Sequence, residues 1–203
     1  MKLAIVVGSQ RSGSQSVKVA RFVEATVRKE LAAVEVYMLD LAQNPLPLWD
    51  DDFDDGAERW QSVWGPIAEQ LRSCDGLVVV TPEWSGMAPA ALKNFFLLAG
   101  NAEVGHKPAL IVGVSHSLGG AYPISELRAH SYKNNHVCYI PEHVIVRDVK
   151  NVLNDLERPA SEQDKYIRDR TAYAIRLLGA YARALVSVRQ SGTIDHETFP
   201  YGM

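Results

Sequence analysis

Five short apolar runs, rich in valine and isoleucine, alternate along this chain with longer stretches of helical periodicity. The runs are Leu3 to Val7, Val34 to Leu39, Leu77 to Thr81, Ala109 to Val114 and Val137 to Val146. Runs of this length indicate β-strands. Because strands that alternate with helices are joined by right-handed crossovers, this order predicts an α/β fold with a parallel sheet and helices on both faces.

Apolar residues recur at helical spacing in three stretches between these strands. They are Val17, Ala20, Val23, Val27 and Leu31, then Trp60, Val63, Ile67 and Leu71, then Ala91, Phe95 and Leu98. A further helix is predicted over Glu162 to Arg189, where an apolar stripe should close one face of the sheet. That stripe contains Tyr166, Tyr173, Leu177, Tyr181, Leu185 and Val188.

The domain organisation follows from length and pattern. A chain of 203 residues suits one α/β domain, and neither the acidic loop near residue 50 nor the polar stretch 151–163 divides it convincingly. We predict one domain over 1–190. The tail, 191–203, has Gly192, Pro200, Gly202 and little periodicity, so we expect a mobile or partner-docked end.

Charge and composition exclude several classes of protein. Lys and Arg number 21 against 24 Asp and Glu, a net charge of −3, which argues against a nucleic-acid partner. The first apolar run is too short for a secretory signal, and no stretch approaches the roughly 20 apolar residues of a membrane span. We therefore expect a cytoplasmic protein with no membrane partner.

No metal site is predicted. Cys74 and Cys138 are far apart and form no Cys-x-x-Cys pattern, so two ordinary buried thiols are expected. The acidic run 50–56 fails the calcium-loop template, because Phe53 and Ser62 fall at ligand positions. A solvated acidic loop is expected there. The six histidines also lack metal-binding spacing.

The loop after the first strand, 8–16, runs directly into a helix. Its candidate ligand residues are Ser9, Arg11, Ser14, Gln15 and Ser16. A phosphate here would meet helix N-terminal N–H groups, hydroxyls and one guanidinium, which suit a phosphomonoester. The dinucleotide and P-loop patterns are absent. A serine-rich turn that ends in a helix N-cap is the alternative.

The loops after the third and fourth strands could hold a flat ring. In parallel sheets, ligands bind beyond the carboxyl ends of the strands. The candidates in the third loop are Pro82, Glu83, Trp84 and Ser85, and those in the fourth are Ser115, Ser117, Gly119 and Gly120. Pro82 stiffens its loop, and the paired glycines permit close backbone approach to a ligand. Packing of Trp84 in the core or as a lid is the alternative.

The fourth loop also suggests a rival function. His-Ser-Leu-Gly-Gly between a strand and a helix is similar to the nucleophile elbow of α/β-hydrolases. Ser117 would be the nucleophile, with Asp148 or Asp155 and then His196 completing a triad in the right chain order. The first elbow position is Ser115 rather than Gly, and no oxyanion-loop motif lies upstream, so this esterase hypothesis explains only one of the loops.

Three motifs occur in order at the ends of these strands. Gly8, Ser9, Arg11 and Ser14 form a Gly-Ser-x-Arg-x-x-Ser pattern, and the stretch 46–50 reads Leu-Pro-Leu-Trp-Asp after the second strand. A Ser-x-x-x-Gly-Gly turn follows the fourth strand and precedes Leu-Arg at 127–128. From Met1 to about Asp148 the chain resembles the NADPH-dependent FMN reductase family, which includes quinone, azo-dye and chromate reductases.

The family's ring loop reads Pro-Glu-Tyr-Asn-x-Ser-x-Pro-x-x-Leu-Lys-Asn. The matching residues here are Pro82, Glu83, Pro89, Leu92, Lys93 and Asn94. Trp84, Ser85 and Met87 replace the Tyr, Asn and Ser of the pattern. The resemblance implies a three-layer flavodoxin-like fold whose five-stranded parallel sheet has the order 2-1-3-4-5.

The resemblance also implies the chemistry. FMN would be held with its phosphate on Arg11 and the serines of the first loop, and its ring between the third and fourth loops. Hydride from NADPH or NADH would pass to flavin N5 and the electrons to a small-molecule acceptor such as a quinone, without a catalytic side chain. The family is usually dimeric or tetrameric. A flavodoxin-type electron carrier without NAD(P)H activity is a further alternative.

Overall fold

The computed structural model describes residues 1–202, along which strands and helices alternate. The strands are β1 (Lys2–Val7), β2 (Glu35–Asp40), β3 (Gly76–Pro82), β4 (Pro108–Val114) and β5 (Cys138–Val146). The helices are α1 (Gln15–Glu30), α2 (Asp51–Asp54), α3 (Glu58–Arg72), α4 (Ala90–Leu98), α5 (Asn101–Val104), α6 (Tyr122–His130) and α7 (Glu162–Arg189). The five predicted strands are therefore confirmed.

The strands form one parallel sheet in the order β2-β1-β3-β4-β5. This is the order that the sequence predicted. The chain leaves β1 for β2 on one side and later returns to place β3 on the other side, so the strand order reverses between β1 and β3. Ligands of open α/β sheets bind beyond the carboxyl ends of the strands at such a point.

Helices cover both faces of the sheet, because alternate residues of a strand point to opposite sides. Leu3, Ile5 and Val7 of β1 pack with α1 and α7 in one buried cluster. Ala4 and Val6 pack in a second cluster with α3, α4 and α6. The two apolar clusters hold the carboxyl ends of the strands in one row, and this row carries the candidate site.

The bounds predicted for α7 are confirmed, but the apolar stripe predicted for it is confirmed only in part, because Leu177 and Tyr181 pack against the core whereas Tyr166, Tyr173 and Val188 are exposed. Tyr166 and Tyr173 are 66% and 46% exposed. The residues that α7 buries are Asp164, Ile167, Thr171, Ala174, Ile175, Leu178, Gly179 and Ala182. Close packing explains the difference, because a Cβ at Gly179 would lie 2.7 Å from Leu31 Cδ2. Aliphatic and small side chains of α7 face the core, the rings of Tyr166 and Tyr173 face outward, and Leu177 and Tyr181 pack at the border of the core.

The described part of the tail, 191–202, makes hydrogen-bond contacts with its own chain, and its mobility or docking to a partner stays a prediction. Gly202 N donates to the Lys133 carbonyl at 3.0 Å, and His136 Nε2 lies 3.4 Å from the Pro200 carbonyl oxygen. Whether 1–190 forms a folding unit without this segment stays a prediction. Among residues 1–202, no helix is long and apolar enough to cross a membrane.

Candidate functional site

The loops after β1, β3, β4 and β5 surround a cavity of about 440 Å³ at the carboxyl ends of the strands. Its volume falls within the range of small-molecule sites. The predicted residues that line it are Ser9, Arg11, Ser14, Gln15, Ser16, Pro82, Glu83 and Trp84. The structure therefore brings two separately predicted loops into one wall.

The β1 loop presents hydrogen-bond donors to this cavity. Ser14 is the N-cap of α1, and its side chain accepts from Val17 N at 3.3 Å, so the capping alternative also holds. A capping hydroxyl keeps its proton free to donate. The first turn of α1 contains no acidic residue. Helix N–H groups, serine hydroxyls and the Arg11 guanidinium thus form a donor set that fits a phosphate group.

The β3 loop makes a tight turn at the other side of the cavity. Trp84 and Met87 pair through two backbone hydrogen bonds of 3.0 and 2.9 Å. Ser85, with φ of 51°, and Gly86, with φ of 75°, form the turn between them. Trp84 is half-buried and lines the cavity. Ser85 is exposed at the turn and is not part of the cavity wall.

The β4 loop lies beside the cavity, and its four predicted residues do not line it. Ser115 is buried, and its Oγ accepts from Ser117 N at 3.2 Å. Ser117 Oγ accepts from Leu118 N at 2.6 Å. Gly120 N donates to Glu83 Oε2 at 2.5 Å. The glycine turn is therefore bonded to the β3 loop, and the backbone N–H of Gly120 is engaged by a carboxylate.

Sequence reasoning missed several lining residues. They are Ser12, Gly13, Val114, His116, Val149 and Lys150. Val149 and Lys150 follow β5, so the rule for carboxyl strand ends could have found them. Lys18 Nζ holds their segment by donating to the Val149 and Val152 carbonyls at 2.5 and 2.9 Å. Burial of Lys18 lowers its pKa, with the carboxylate of Asp164 acting in the opposite direction.

The motif residues after the ring loop hold the surrounding segments in place. The buried Asn94 donates through Nδ2 to the Pro47 carbonyl at 2.7 Å and accepts through Oδ1 from Trp49 N at 2.8 Å. Glu126 pairs with Lys93 and accepts from Ala88 N at 2.7 Å. Burial alone would raise the pKa of Glu126, but these two hydrogen bonds outweigh it and lower the pKa.

A larger groove, of about 910 Å³, lies between α1 and α7. It is lined by α1, α7 and the segment 156–159 instead of the loops directly after the strands, and two of its arginines already have partners. Arg168 pairs with Asp164, and Arg176 pairs with Glu30. We therefore assign the candidate site to the smaller cavity. Within residues 1–202, this is the cavity in which hydrogen-bond donors converge at the point where the strand order reverses.

The esterase triad is not assembled, so that alternative is wrong. Ser117 lies after the carboxyl end of β4, whereas His196 packs on His106, just before the amino end of β4. Both oxygens of the Asp148 carboxylate accept from Asn151 Nδ2, and each lies 3.0 Å from that nitrogen. Asp155 accepts from Glu157 N and Arg158 N. The predicted triad therefore does not form around Ser117, because His196 lies at the other end of β4.

The acidic run 50–56 is more ordered than a solvated loop. It contains α2, and Asp50 and Asp52 both pair with Arg59 at 2.7 Å. Asp50 also accepts from Trp60 Nε1 at 3.0 Å. Over the described part of the chain, no group of three or more His, Cys, Asp or Glu residues is placed to hold a metal ion.

Comparison with known proteins identifies the family. The profile of a family described as NADPH-dependent FMN reductase matches residues 1–151. The chain belongs to this family. The match begins at the first residue and ends at Asn151, so it includes all five strands and the loops that surround the cavity.

Curated relatives of this family member are reductases. A quinone reductase of Pseudomonas putida is 32% identical over 124 residues, which cover 59% of this chain and 63% of the relative. A 2-hydroxy-1,4-benzoquinone reductase of a Burkholderia species is 31% identical, covering 63% and 68%. The chain thus spans just under two thirds of the Pseudomonas protein. An NADPH azoreductase of a Bacillus species is 26% identical over 72% of the chain and 76% of that relative.

Solved structures support the fold of this family member. An oxidoreductase of Corynebacterium diphtheriae superposes with a TM-score of 0.70 at 15% identity, covering 90% of this chain and 97% of that one. The flavoenzyme NAD(P)H:(acceptor) oxidoreductase FerB of Paracoccus denitrificans gives a TM-score of 0.69 at 20% identity, covering 89% and 98%. At these identities the likeness shows the fold.

Proposed function

We propose that this protein binds FMN in the cavity at the carboxyl strand ends and is an NAD(P)H-dependent oxidoreductase that reduces a soluble acceptor such as a quinone. One observation supports this proposal above all. The loop after β1, whose donors suit a phosphate, and the Pro82–Trp84 loop after β3 line the same cavity. The quinone reductase relatives support the acceptor class. A further relative, the NAD(P)H-dependent FMN reductase LOT6 of Saccharomyces cerevisiae, supports NAD(P)H as the reductant.

The β1 loop favours FMN over FAD. Arg11 and the hydroxyls of Ser9, Ser12, Ser14 and Ser16 surround the N-terminus of α1. These donors suit the dianionic end of a phosphomonoester. The phosphate of FMN is terminal, whereas in FAD it is joined through a pyrophosphate bond to AMP, and the β1 loop offers no evident site for the added nucleotide. Lys150 adds a second cation to the same wall.

The remaining residues position a ring. Trp84 offers a half-buried aromatic surface, and Pro82 restricts the backbone beside it. Glu83 binds the Gly120 N–H and so joins the loops after β3 and β4. When bound, FMN supplies the hydride and electron transfer chemistry at its own N5. The side chains therefore act by binding, orientation and exclusion of water, and none acts as a general base.

Location and assembly are also part of the proposal. We infer a cytoplasmic homodimer or homotetramer. Three large apolar side chains near the cavity are mostly uncovered in the single chain: Met87 is 50% exposed, Leu118 80% and Tyr122 70%. Exposed apolar groups concentrated at one place are typical of an interface. Size-exclusion chromatography with light scattering measures the assembly directly.

Cofactor identification is the first test. The protein is reconstituted with FMN and FAD in separate samples, washed, and the flavin is released by heat and identified by chromatography. We expect retained FMN and little FAD. Recovery of FAD as the main species, or of no flavin, would contradict the proposal. Quinone reduction by the FMN sample in the presence of NADPH then separates an enzyme from an electron carrier.

A further inference from the structure

Three histidines from separate segments stack at the amino ends of the strands, at the end of the sheet opposite the cavity. His106 lies just before β4, His136 just before β5, and His196 in the tail. The ring centroids of His106 and His136 are 5.5 Å apart, those of His106 and His196 5.4 Å, and those of His136 and His196 4.8 Å. The His106 ring is stacked on each of the other two, with interplanar angles of 20° and 21°, whereas the His136 and His196 rings are tilted by 41°. The candidate site and the proposed activity use none of these side chains.

The backbone is constrained to build this stack. His106 has φ of 53° and His136 has φ of 57°, in the left-handed region that most side chains avoid. His106 N donates to the His136 carbonyl at 2.9 Å, which joins the two segments. The third ring arrives with the tail, which is also held at Lys133 and His136. The tail is therefore attached through the imidazole stack and these two contacts of its backbone.

The stack is suited to neutral rings. Imidazoles in which only one nitrogen carries a proton can pack face to face, whereas two imidazolium ions at about 5 Å repel each other. His106 Nε2 is buried and has no hydrogen-bond partner within residues 1–202. A second proton on the ring would make an imidazolium whose buried Nε2–H has no acceptor within the described chain. The arrangement of these rings also does not form a metal site.

We propose that the three imidazoles are a proton-sensitive latch that holds the tail, residues 191–202, against the body at neutral pH and releases it on acidification. Protonation makes the stack self-repelling. The ring that can leave is His196, since the other two are built into the segments that precede β4 and β5. Release would uncover the amino ends of these two strands and leave the cavity at the opposite end of the sheet intact.

The charged groups around the stack affect how readily it takes up a proton. Arg189 of α7 faces the stack, because its Nη1 donates to the His106 carbonyl at 3.2 Å and its Nη2 lies 3.6 Å from Asp75 Oδ1. Lys107 follows His106, but its Nζ turns to the carbonyls of Leu71 and Arg72. Of these groups, Arg189 opposes protonation of the stack most directly.

Charged and titratable groups also lie near the stack on the segment that contains His136 and on the tail. Lys133 precedes His136, and the Cys138 thiol faces the His136 carbonyl at 3.7 Å. On the tail, Asp195 and Glu197 flank His196. Backbone and side-chain hydrogen bonds from Thr198 lower the pKa of Asp195. This carboxylate therefore stays ionised over the range in which histidines titrate, and its charge does not change on mild acidification.

The direction of the pH effect follows from His106. Burial, and then the neighbouring His136, His196 and Arg189, lower the pKa of His106 below its ordinary value. The released state consequently binds protons more tightly than the docked state. Docking is fully stable above the ordinary histidine pKa of about 6.5 and weakens as the pH falls below it.

Backbone relaxation of the full chain tests the latch. Order parameters of residues 193–202 are measured by ¹⁵N NMR at pH 7.5 and 5.5 with EDTA present. We expect values near those of a rigid backbone, about 0.85, at the higher pH, and values below about 0.6 at the lower pH. Order parameters of β3 serve as the control for the fold and should not change. Equal order in the tail at both pH values would overturn the proposal.

A second measurement follows the His106 imidazole itself, so it can be interpreted whether or not the tail of a variant stays docked. The titration midpoint of the His106 imidazole is followed by NMR in the wild type, in H196Q and in H130Q, where His130 is exposed at the end of α6. Loss of the third ring should raise the His106 midpoint in H196Q, and H130Q should match the wild type. An unchanged His106 midpoint in H196Q would overturn the latch.

Discussion

The carboxylate of Glu83, on the loop after β3, accepts a 2.5 Å hydrogen bond from the backbone N–H of Gly120, on the loop after β4. The adjacent glycine permits this approach, because a Cβ at Gly119 would lie 2.5 Å from Glu83 Oε1. Gly120 itself has φ of 101°, which favours glycine. One side chain thus joins the two loops that sequence reasoning had placed on either side of a ring.

Removal of this carboxylate should weaken FMN binding. A hydrogen bond to a charged group contributes about 1.5–3 kcal/mol, so we expect E83A to raise the FMN dissociation constant by roughly 10- to 100-fold. E83Q keeps an acceptor oxygen and should have a smaller effect. Flavin fluorescence titration measures both. E69A, at an exposed position of α3, is the control, and equal affinity of E83A and wild type would contradict the role given to Glu83.

Arg11 should contribute to phosphate binding. The guanidinium lines the cavity beside the N-terminus of α1, so R11A should weaken FMN binding by about 1.5–3 kcal/mol. R21A, an exposed arginine on the same helix, should bind FMN as the wild type does. Riboflavin, which lacks the phosphate, should lose little affinity in R11A. An unchanged FMN affinity in R11A would mean that Arg11 faces another group.

The sequence predicted the fold and half of the site well because both depend on local patterns. The three central strands, β1, β3 and β4, are almost wholly apolar. The helix N-terminus after β1 is marked by serines. The β4 loop could not be placed in the same way, since the engagement of Gly120 by Glu83 joins residues 37 positions apart. Likewise, the face that α7 buries depends on close contact between Gly179 and Leu31, which periodicity alone does not reveal.

Ser117 should not behave as an activated nucleophile. Its Oγ accepts from Leu118 N, and His196 lies at the opposite end of the sheet. We expect no stoichiometric labelling by a fluorophosphonate probe and no loss of FMN binding greater than a few-fold in S117A. Mass spectrometry of the treated protein gives the labelled position. Labelling at Ser117 that S117A abolishes would restore the esterase hypothesis.

Both thiols should react slowly in the native protein. Burial raises the pKa of Cys74 to about 11, against the smaller lowering effect of Lys2 and Lys107. Burial also raises the pKa of Cys138. Because the thiolate is the reactive form, native Cys74 should react with an aromatic disulfide at pH 8 about a hundredfold more slowly than an ordinary cysteine. Two thiols should become reactive in denaturant, and rapid native labelling of Cys74 would contradict its burial.

Anaerobic mixing of the FMN-loaded protein with NADPH measures the proposed activity most directly. The visible flavin absorbance is followed after mixing with excess NADPH, and a quinone is then added without oxygen. We expect the absorbance to bleach within seconds and to return on addition of the quinone, with parallel double-reciprocal lines in the steady state. A flavin that stays oxidised over minutes in excess NADPH would contradict the enzymatic function and leave an electron carrier in its place.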